Sequence, residues 1–385
     1  MSAALSRGVF FSVSVLFFTR VAGLTPTTVG LGLTIAGAVA VGASLGAGYL
    51  AGVVGARRVL LVTTAGQALA LLAYLAVSTP IAFVAVACAA VGQQAMQRTA
   101  LSTMIAQSFT GPDRVEVRAR LRVVMNCFIG LGTGLAAVAL AIGTRPAYLL
   151  AMASTAALLF VSALSLRRLT APGRIAPVEA ERRRRSPLRD RTYLTATALN
   201  AVMTMQFGML TVGVPLWVAG WTAAPAVTVA ALLATNTVIV SLLQVWAARG
   251  ARDLPAAGRS VARAGALLAL ACGLYAAATS GGVAVVVTVL ALATVAHSLA
   301  EVFSEAGSWT LAFELADPDN AGAYQGVSQT GAALGSMLAP LVVTATAIDH
   351  GPAGWAVLAA LFLAAGLSTL ALARRKFLPT SMSEL

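Results

Sequence analysis

The sequence is short of charge. Asp, Glu, Lys and Arg together make up 10% of its 385 residues, and only 13 of them are acidic. An ordinary soluble domain carries about 25% charged residues, so this composition excludes one. Catalytic side chains are equally scarce, with two histidines and three cysteines. No His-Glu-x-x-His pattern occurs, and His297 and His350 are expected on opposite sides of a membrane. An enzyme is therefore not expected, nor a cofactor or bound metal. No Gly-x4-Gly-Lys-Ser/Thr loop is present, so drive by ATP would need a separate partner. Cys88, Cys127 and Cys272 all fall inside apolar runs, which argues against a disulfide framework.

What the sequence has in abundance is apolar surface. Hydrophobic residues make up 59%, and the mean hydropathy is +0.87. A run of about 20 apolar residues crosses the bilayer core as a helix. In lipid each backbone amide needs an internal partner, which leaves helices or closed barrels. The runs here are long and do not alternate strictly, so the fold class expected is an all-α integral membrane protein. Twelve spans are predicted: Leu5–Leu24, Thr28–Val54, Val59–Val77, Ile81–Phe109, Val123–Ile142, Ala147–Leu166, Thr192–Val218, Ala226–Ala247, Ala264–Ala278, Val283–Leu311, Ala323–Ala347 and Gly354–Ala373.

The net charge of +13 does not point to nucleic acid. Apart from Arg20, Arg98 and Arg145, the basic residues fall at the termini or in alternate gaps between apolar runs. Such a bias marks cytoplasmic loops and sets orientation. It predicts a multi-pass protein of the cell membrane with both termini inside. The longest polar stretch, 167–191, contains Arg182, Arg183, Arg184 and Arg185 and is broken by Pro172, Pro177 and Pro187, which interrupt helices. It reads as a basic cytoplasmic linker. It divides the chain into a six-helix bundle at 1–166 and a second at 192–385 with a short tail.

Several polar residues sit at mid-span depth. Gln94 and Arg98 lie in the fourth span, Asn200 and Gln206 in the seventh. In the tenth, His297, Glu301, Glu305 and Trp309 recur every fourth residue and so share one helix face. An ionised group at a helix centre costs about 2.5–3.5 kcal/mol on insertion scales, so these side chains are expected to face protein or water. A glutamate among apolar walls takes up a proton more readily, and a nearby guanidinium opposes that. Glu301 or Glu305 is therefore a candidate for proton or cation binding. A fixed pair between Arg98 and one glutamate is the structural alternative. The charged stretch Thr110–Arg122 is expected to be an inner loop, and Asn236 and Gln244 interhelical hydrogen bonders.

Between the second and third spans the chain reads Gly48-Tyr-Leu-Ala-Gly52-Val-Val-Gly55-Ala-Arg57-Arg58. This resembles the Gly-x-Leu-Ala-Asp-Arg-x-Gly-Arg-Arg loop signature of the major facilitator superfamily, drug-efflux-like bacterial members included. The resemblance implies two six-helix halves related by an axis along the membrane normal. It also implies a central cavity lined by the first, fourth, seventh and tenth spans. Gly48, Gly52, Gly55, Arg57 and Arg58 take the places of the signature's conformational loop. The family's acid is replaced by Gly52 and the arginine after it by Val53, which implies a weaker charge latch there. Gly130, Gly132 and Gly134 resemble the start of an antiporter motif in the fifth span, without its proline.

The functional expectation is a secondary transporter working by alternating access, with H+ as coupling ion. It would export an amphiphilic or cationic small molecule as a monomer in the lipid bilayer. Uptake or uniport of a sugar or other metabolite is the alternative, as is a non-transporting sensor on the same fold.

Overall fold

The computed structural model describes residues 4–5, 25–77, 79–142, 144–167 and 186–381. The first predicted span, apart from Leu5, and residues 168–185 of the linker lie outside these. Among the described residues there is no strand, and the helices follow the predicted order from the second span to the twelfth. They are α1 (Pro26–Leu50), α2 (Ala56–Ala73), α3 (Pro80–Ser108), α4 (Asp113–Ile142), α5 (Arg145–Leu166), α6 (Arg191–Trp221), α7 (Val227–Gly250), α8 (Leu254–Ala277), α9 (Val283–Glu314), α10 (Pro318–Ile348) and α11 (Pro352–Ser381). Eight stretches of the described residues are long and apolar enough to cross a membrane. The first of these, Thr28–Ala76, is 49 residues long and divides into α1 and α2 at Gly55. The φ of +94° there is one that glycine adopts without a Cβ clash.

Local chemistry sets the helix starts. The Thr25 hydroxyl accepts from Thr28 N, Asp190 Oδ1 from Tyr193 N at 3.0 Å, and Asp253 Oδ1 from Ala256 N at 2.7 Å. Each side chain satisfies an amide that the first turn leaves open. Two boundaries correct the sequence reading. Most of the predicted loop Thr110–Arg122 is helical, because α4 begins at Asp113. Gly111, at φ +49°, turns the chain just ahead of Pro112. Asp113 and Glu116 then lie in the first turn, where acids suit the positive end of the helix dipole. Likewise α8 begins at Leu254 rather than Ala264, behind the Asp253 cap. In α6 the helix widens to a π turn at Met209–Gly213 just before Pro215.

The chain forms two compact units, neither of them a single stretch of sequence. The first comprises residues 1–108, 124–187 and 317–333; the second comprises 109–123, 188–316 and 334–385. In the first, α3 packs on α1 and α2, and α5 packs on α2, with Phe83, Leu71, Tyr74 and Leu159 in its core. In the second, α8 packs against α9 and α11, and α7 against α9. Its core holds an aromatic cluster. Trp217 Nε1 donates to the Tyr275 carbonyl at 2.8 Å, and the Trp355 ring lies 5.5 Å from Trp217 and 5.1 Å from Tyr275.

Candidate functional site

The four-residue spacing of α9 places His297, Glu301, Glu305 and Trp309 along one face, and α4 and α7 meet that face within the second unit. Starting α4 at Asp113 puts Arg118 and Arg122 one turn apart on the same side of a helix. The two terminal nitrogens of Arg122 go to different acids: Nη2 donates to Glu301 Oε1 and Nη1 to Glu305 Oε2. The second Glu301 oxygen accepts from Asn236 Nδ2 of α7 at 3.0 Å. Asn236 also bonds Ser298 Oγ at 3.1 Å, and Ser298 in turn donates to the Thr294 carbonyl.

Aromatic faces cover the cations. The Arg122 guanidinium lies 5.4 Å from the Phe207 ring centre and 5.8 Å from that of Trp309. Arg118 lies 5.1 Å from Trp309 and 5.9 Å from Phe313. Stacking of this kind favours a guanidinium over an ammonium. Glu301 has 5% of its side-chain surface exposed and Glu305 15%, so Glu305 is the more reachable acid. Two carboxylates thus share one directly bonded arginine in a largely dry pocket. Such a site can exchange a proton, or a cation, against the Arg122 contact.

Within the second unit, both amide atoms of Gln206 and of Gln244 and Arg122 Nε lack a hydrogen-bond partner among the described residues. The His297 ring meets Tyr275 edge-on at 6.5 Å. Asn200 is half-buried on α6 and accepts from Thr204 Oγ1 through its carbonyl.

Arg98 and Gln94 belong to α3 in the first unit. Arg98 has an accessible side chain and forms no ion pair among the described residues. Within the second unit both glutamates pair with Arg122. Arg122 was missed because it was assigned to a loop. The signal that could have found it is Pro112-Asp113 with Glu116 three residues on, a helix start. Asn236 is the interhelical hydrogen bonder that its sequence position suggested; Gln244, expected to be another, has no hydrogen-bond partner for either amide atom among the described residues.

The signature loop is built from close backbone contact within the first unit. A Cβ on Gly48 would stand 2.5 Å from Gly322 O and 2.6 Å from Gly326 Cα, and one on Gly322 would stand 3.1 Å from Gly52 N. Small residues let helices approach this closely. α1 and α10 thus meet glycine on glycine at Gly48, whereas a Cβ on Gly52, where the signature has its acid, would meet nothing within 4 Å. Ser102 Oγ donates to Gln325 Oε1 at 2.7 Å beside this seam. Arg57 donates to the carbonyls of Leu166 and Arg167, satisfying the last turn of α5, while Arg58 is exposed.

A family model described as Major Facilitator Superfamily matches residues 1–340. The chain belongs to the major facilitator superfamily. It is thus a membrane transporter of a family whose members are generally carriers rather than enzymes. Solved structures agree in fold. A transporter of the superfamily called FucP, in the outward conformation, is 15% identical with a TM-score of 0.72, covering 97% of this chain and 96% of its own. The human organic anion transporter MFSD10 is 16% identical with a TM-score of 0.69, covering 96% and 97%. A bacterial homologue of the iron transporter ferroportin, outward-facing, is 13% identical with a TM-score of 0.70, covering 97% of each chain. No curated protein matches the sequence.

Proposed function

We propose that this transporter couples the movement of H+ to export of an amphiphilic or cationic small molecule, with Glu305 as the proton acceptor and Glu301 as its anchored neighbour. The observation that carries the reading is the sharing of Arg122 by two acids one turn apart on α9. Glu301 keeps a second partner in Asn236, so Glu305 is the acid that a proton can take from the arginine at least cost. Protonating it removes one of the two bonds that hold α4 at this point. Beyond Val123, α4 runs on into the first unit, so a proton at Glu305 alters the hold on a helix that both units share. The apolar walls and few charges suit an amphiphilic cation, which would compete with Arg122 for the same carboxylates.

On this reading the two units are worked by the six-helix halves 1–166 and 192–385, joined by the linker 167–191. The basic loops and both termini face the cytoplasm of a monomer in the cell membrane. Gln206, Asn200, His297, Gln94 and Arg98 supply polar contacts along the path, and the Gly48–Arg58 loop closes its inner end. Uptake or uniport of a metabolite is the competing mode.

The test is transport in proteoliposomes with an imposed pH gradient. Lipophilic cations are added singly and lumenal pH is followed with an entrapped dye. Substrate-dependent proton movement that disappears in Glu305→Gln, with expression unchanged, is the expected result. Proton movement undiminished in that variant removes Glu305 from the role. Substrate flux without any proton movement identifies a uniporter or a carrier coupled to another ion.

A further inference from the structure

In the second unit, where the end of α7 meets the start of α8, lies a cavity of 440 Å³. Its walls include Trp246, Arg249, Arg259, Ser260, Arg263 and Phe303. Ser260 is tied off, donating to the Phe303 carbonyl at 2.8 Å. Arg249 is committed to Glu116 at 3.0 Å. Arg259 and Arg263 form no ion pair among the described residues and are exposed. The cavity therefore offers two uncompensated guanidinium groups, four residues apart and on one helix face.

The direction of that face identifies its surroundings. The exposed positions of α8 run Arg259, Arg263, Ala266, Leu270, Gly273, a stripe at helical spacing. Its far part is wholly apolar on a helix long enough to cross a bilayer, so the stripe faces lipid. The two arginines continue it toward the basic-loop end. Helical Cβ atoms lean toward the helix N-terminus, and for α8 that is the end nearest the loop. Both side chains thus snorkel toward the headgroup layer. Trp246, 60% exposed, stands beside them with its ring 5.8 Å from Phe303. An exposed tryptophan at this level marks the membrane interface.

The geometry points to a binding site for the phosphodiester headgroup of an anionic phospholipid, held by Arg259 and Arg263, with the acyl chains along Trp246, Phe303 and the apolar stripe of α8. Basic pockets between membrane helices take such headgroups. A zwitterionic lipid offers the same phosphate but brings a cation, and no carboxylate among the described residues lines the cavity to receive it. The site is therefore selective for net negative charge. The assignment is independent of what is transported and in which direction.

The test is native mass spectrometry of the whole protein in detergent, titrated with phosphatidylglycerol or phosphatidylcholine. Wild type is expected to retain phosphatidylglycerol in preference. Arg259→Gln/Arg263→Gln should lose at least about tenfold in apparent affinity, given the usual contribution of each basic residue near a membrane surface. Arg374→Gln/Arg375→Gln, which removes the same charge from another basic segment, should lose far less. Arg259→Lys/Arg263→Lys should recover part of the binding, which shows that the glutamine pair fails for want of charge and not of folding. Equal losses in the two glutamine pairs, or no preference in wild type, would overturn the site. Displacement of the lipid by millimolar inorganic phosphate would reassign it to a soluble anion.

Discussion

Arg122 and Glu301 stand 179 residues apart in the chain, and Arg122 Nη2 donates to Glu301 Oε1 in a largely dry pocket. The same guanidinium holds Glu305 with its other nitrogen. Removing one partner of a buried ion pair costs about 3–5 kcal/mol because the charge left behind has no compensation. Arg122→Leu should therefore lower the melting temperature markedly in detergent. Adding Glu301→Gln and Glu305→Gln to that variant should restore most of the loss, since neutral amides carry no orphaned charge. Equal melting of the single and triple variants would show that the cluster contributes no stability.

The glycine seam between α1 and α10 predicts a purely steric phenotype. A side chain at Gly48 or Gly326 has no room: Gly48 would strike Gly322 and Gly326, and a Cβ on Gly326 would lie 3.0 Å from Gly48 Cα. Overpacking typically costs about 1–3 kcal/mol. Gly48→Val and Gly326→Val should each be destabilised by about this much, or be held away from the closed contact. Gly42→Val, at a position with open space, should melt as wild type does. Thermal unfolding of the three side by side decides it.

Glu116 lies ahead of the apolar part of α4 and accepts from Arg249 at 3.0 Å and from Arg120. The Arg249 hydrogen bond, with Arg120 in support, holds its carboxyl below the usual carboxylate range. A depressed acid contributes its contact fully above the ordinary carboxylate range, and loses it as pH falls through the lowered value. Replacing Arg249 with Gln should move the protonation midpoint of Glu116 upward. Carboxyl carbon NMR on glutamate-labelled protein reads this directly, and an unmoved midpoint would mean that Arg249 does not hold the acid.

The membrane fold was legible because its cause is compositional: apolar runs of spanning length, punctuated by basic gaps, allow little else. The α9 stripe was legible too, since a period of four in Glu and His on an apolar helix has few readings. Its partner was not. Arg122 looked like loop charge because Arg114, Arg118, Arg120 and Arg122 come densely in the sequence. Only the helix start at Asp113 sorts them onto faces, sending Arg118 and Arg122 toward α9 and Arg120 toward Glu116. The substitution of Gly52 for the signature's acid looked like a loss. A Cβ at position 52 would meet nothing within 4 Å; the close contact nearby is made by Gly48 with Gly322 and Gly326, some 270 residues on, which no local pattern connects to it.

That glycine contact has a consequence for how the protein senses its surroundings. Backbone pressed on backbone offers neither protons nor counter-ions anything to act on, so ionic strength and acidity leave it alone. It behaves as a dry bearing. The pairing of one arginine with two acids on α9 is its opposite, a contact made of charge. The chain thus keeps its buried charge at one place and its mechanical closeness at another, and an acid restored at position 52, where a Cβ has open space, would add charge beside the contact without entering it.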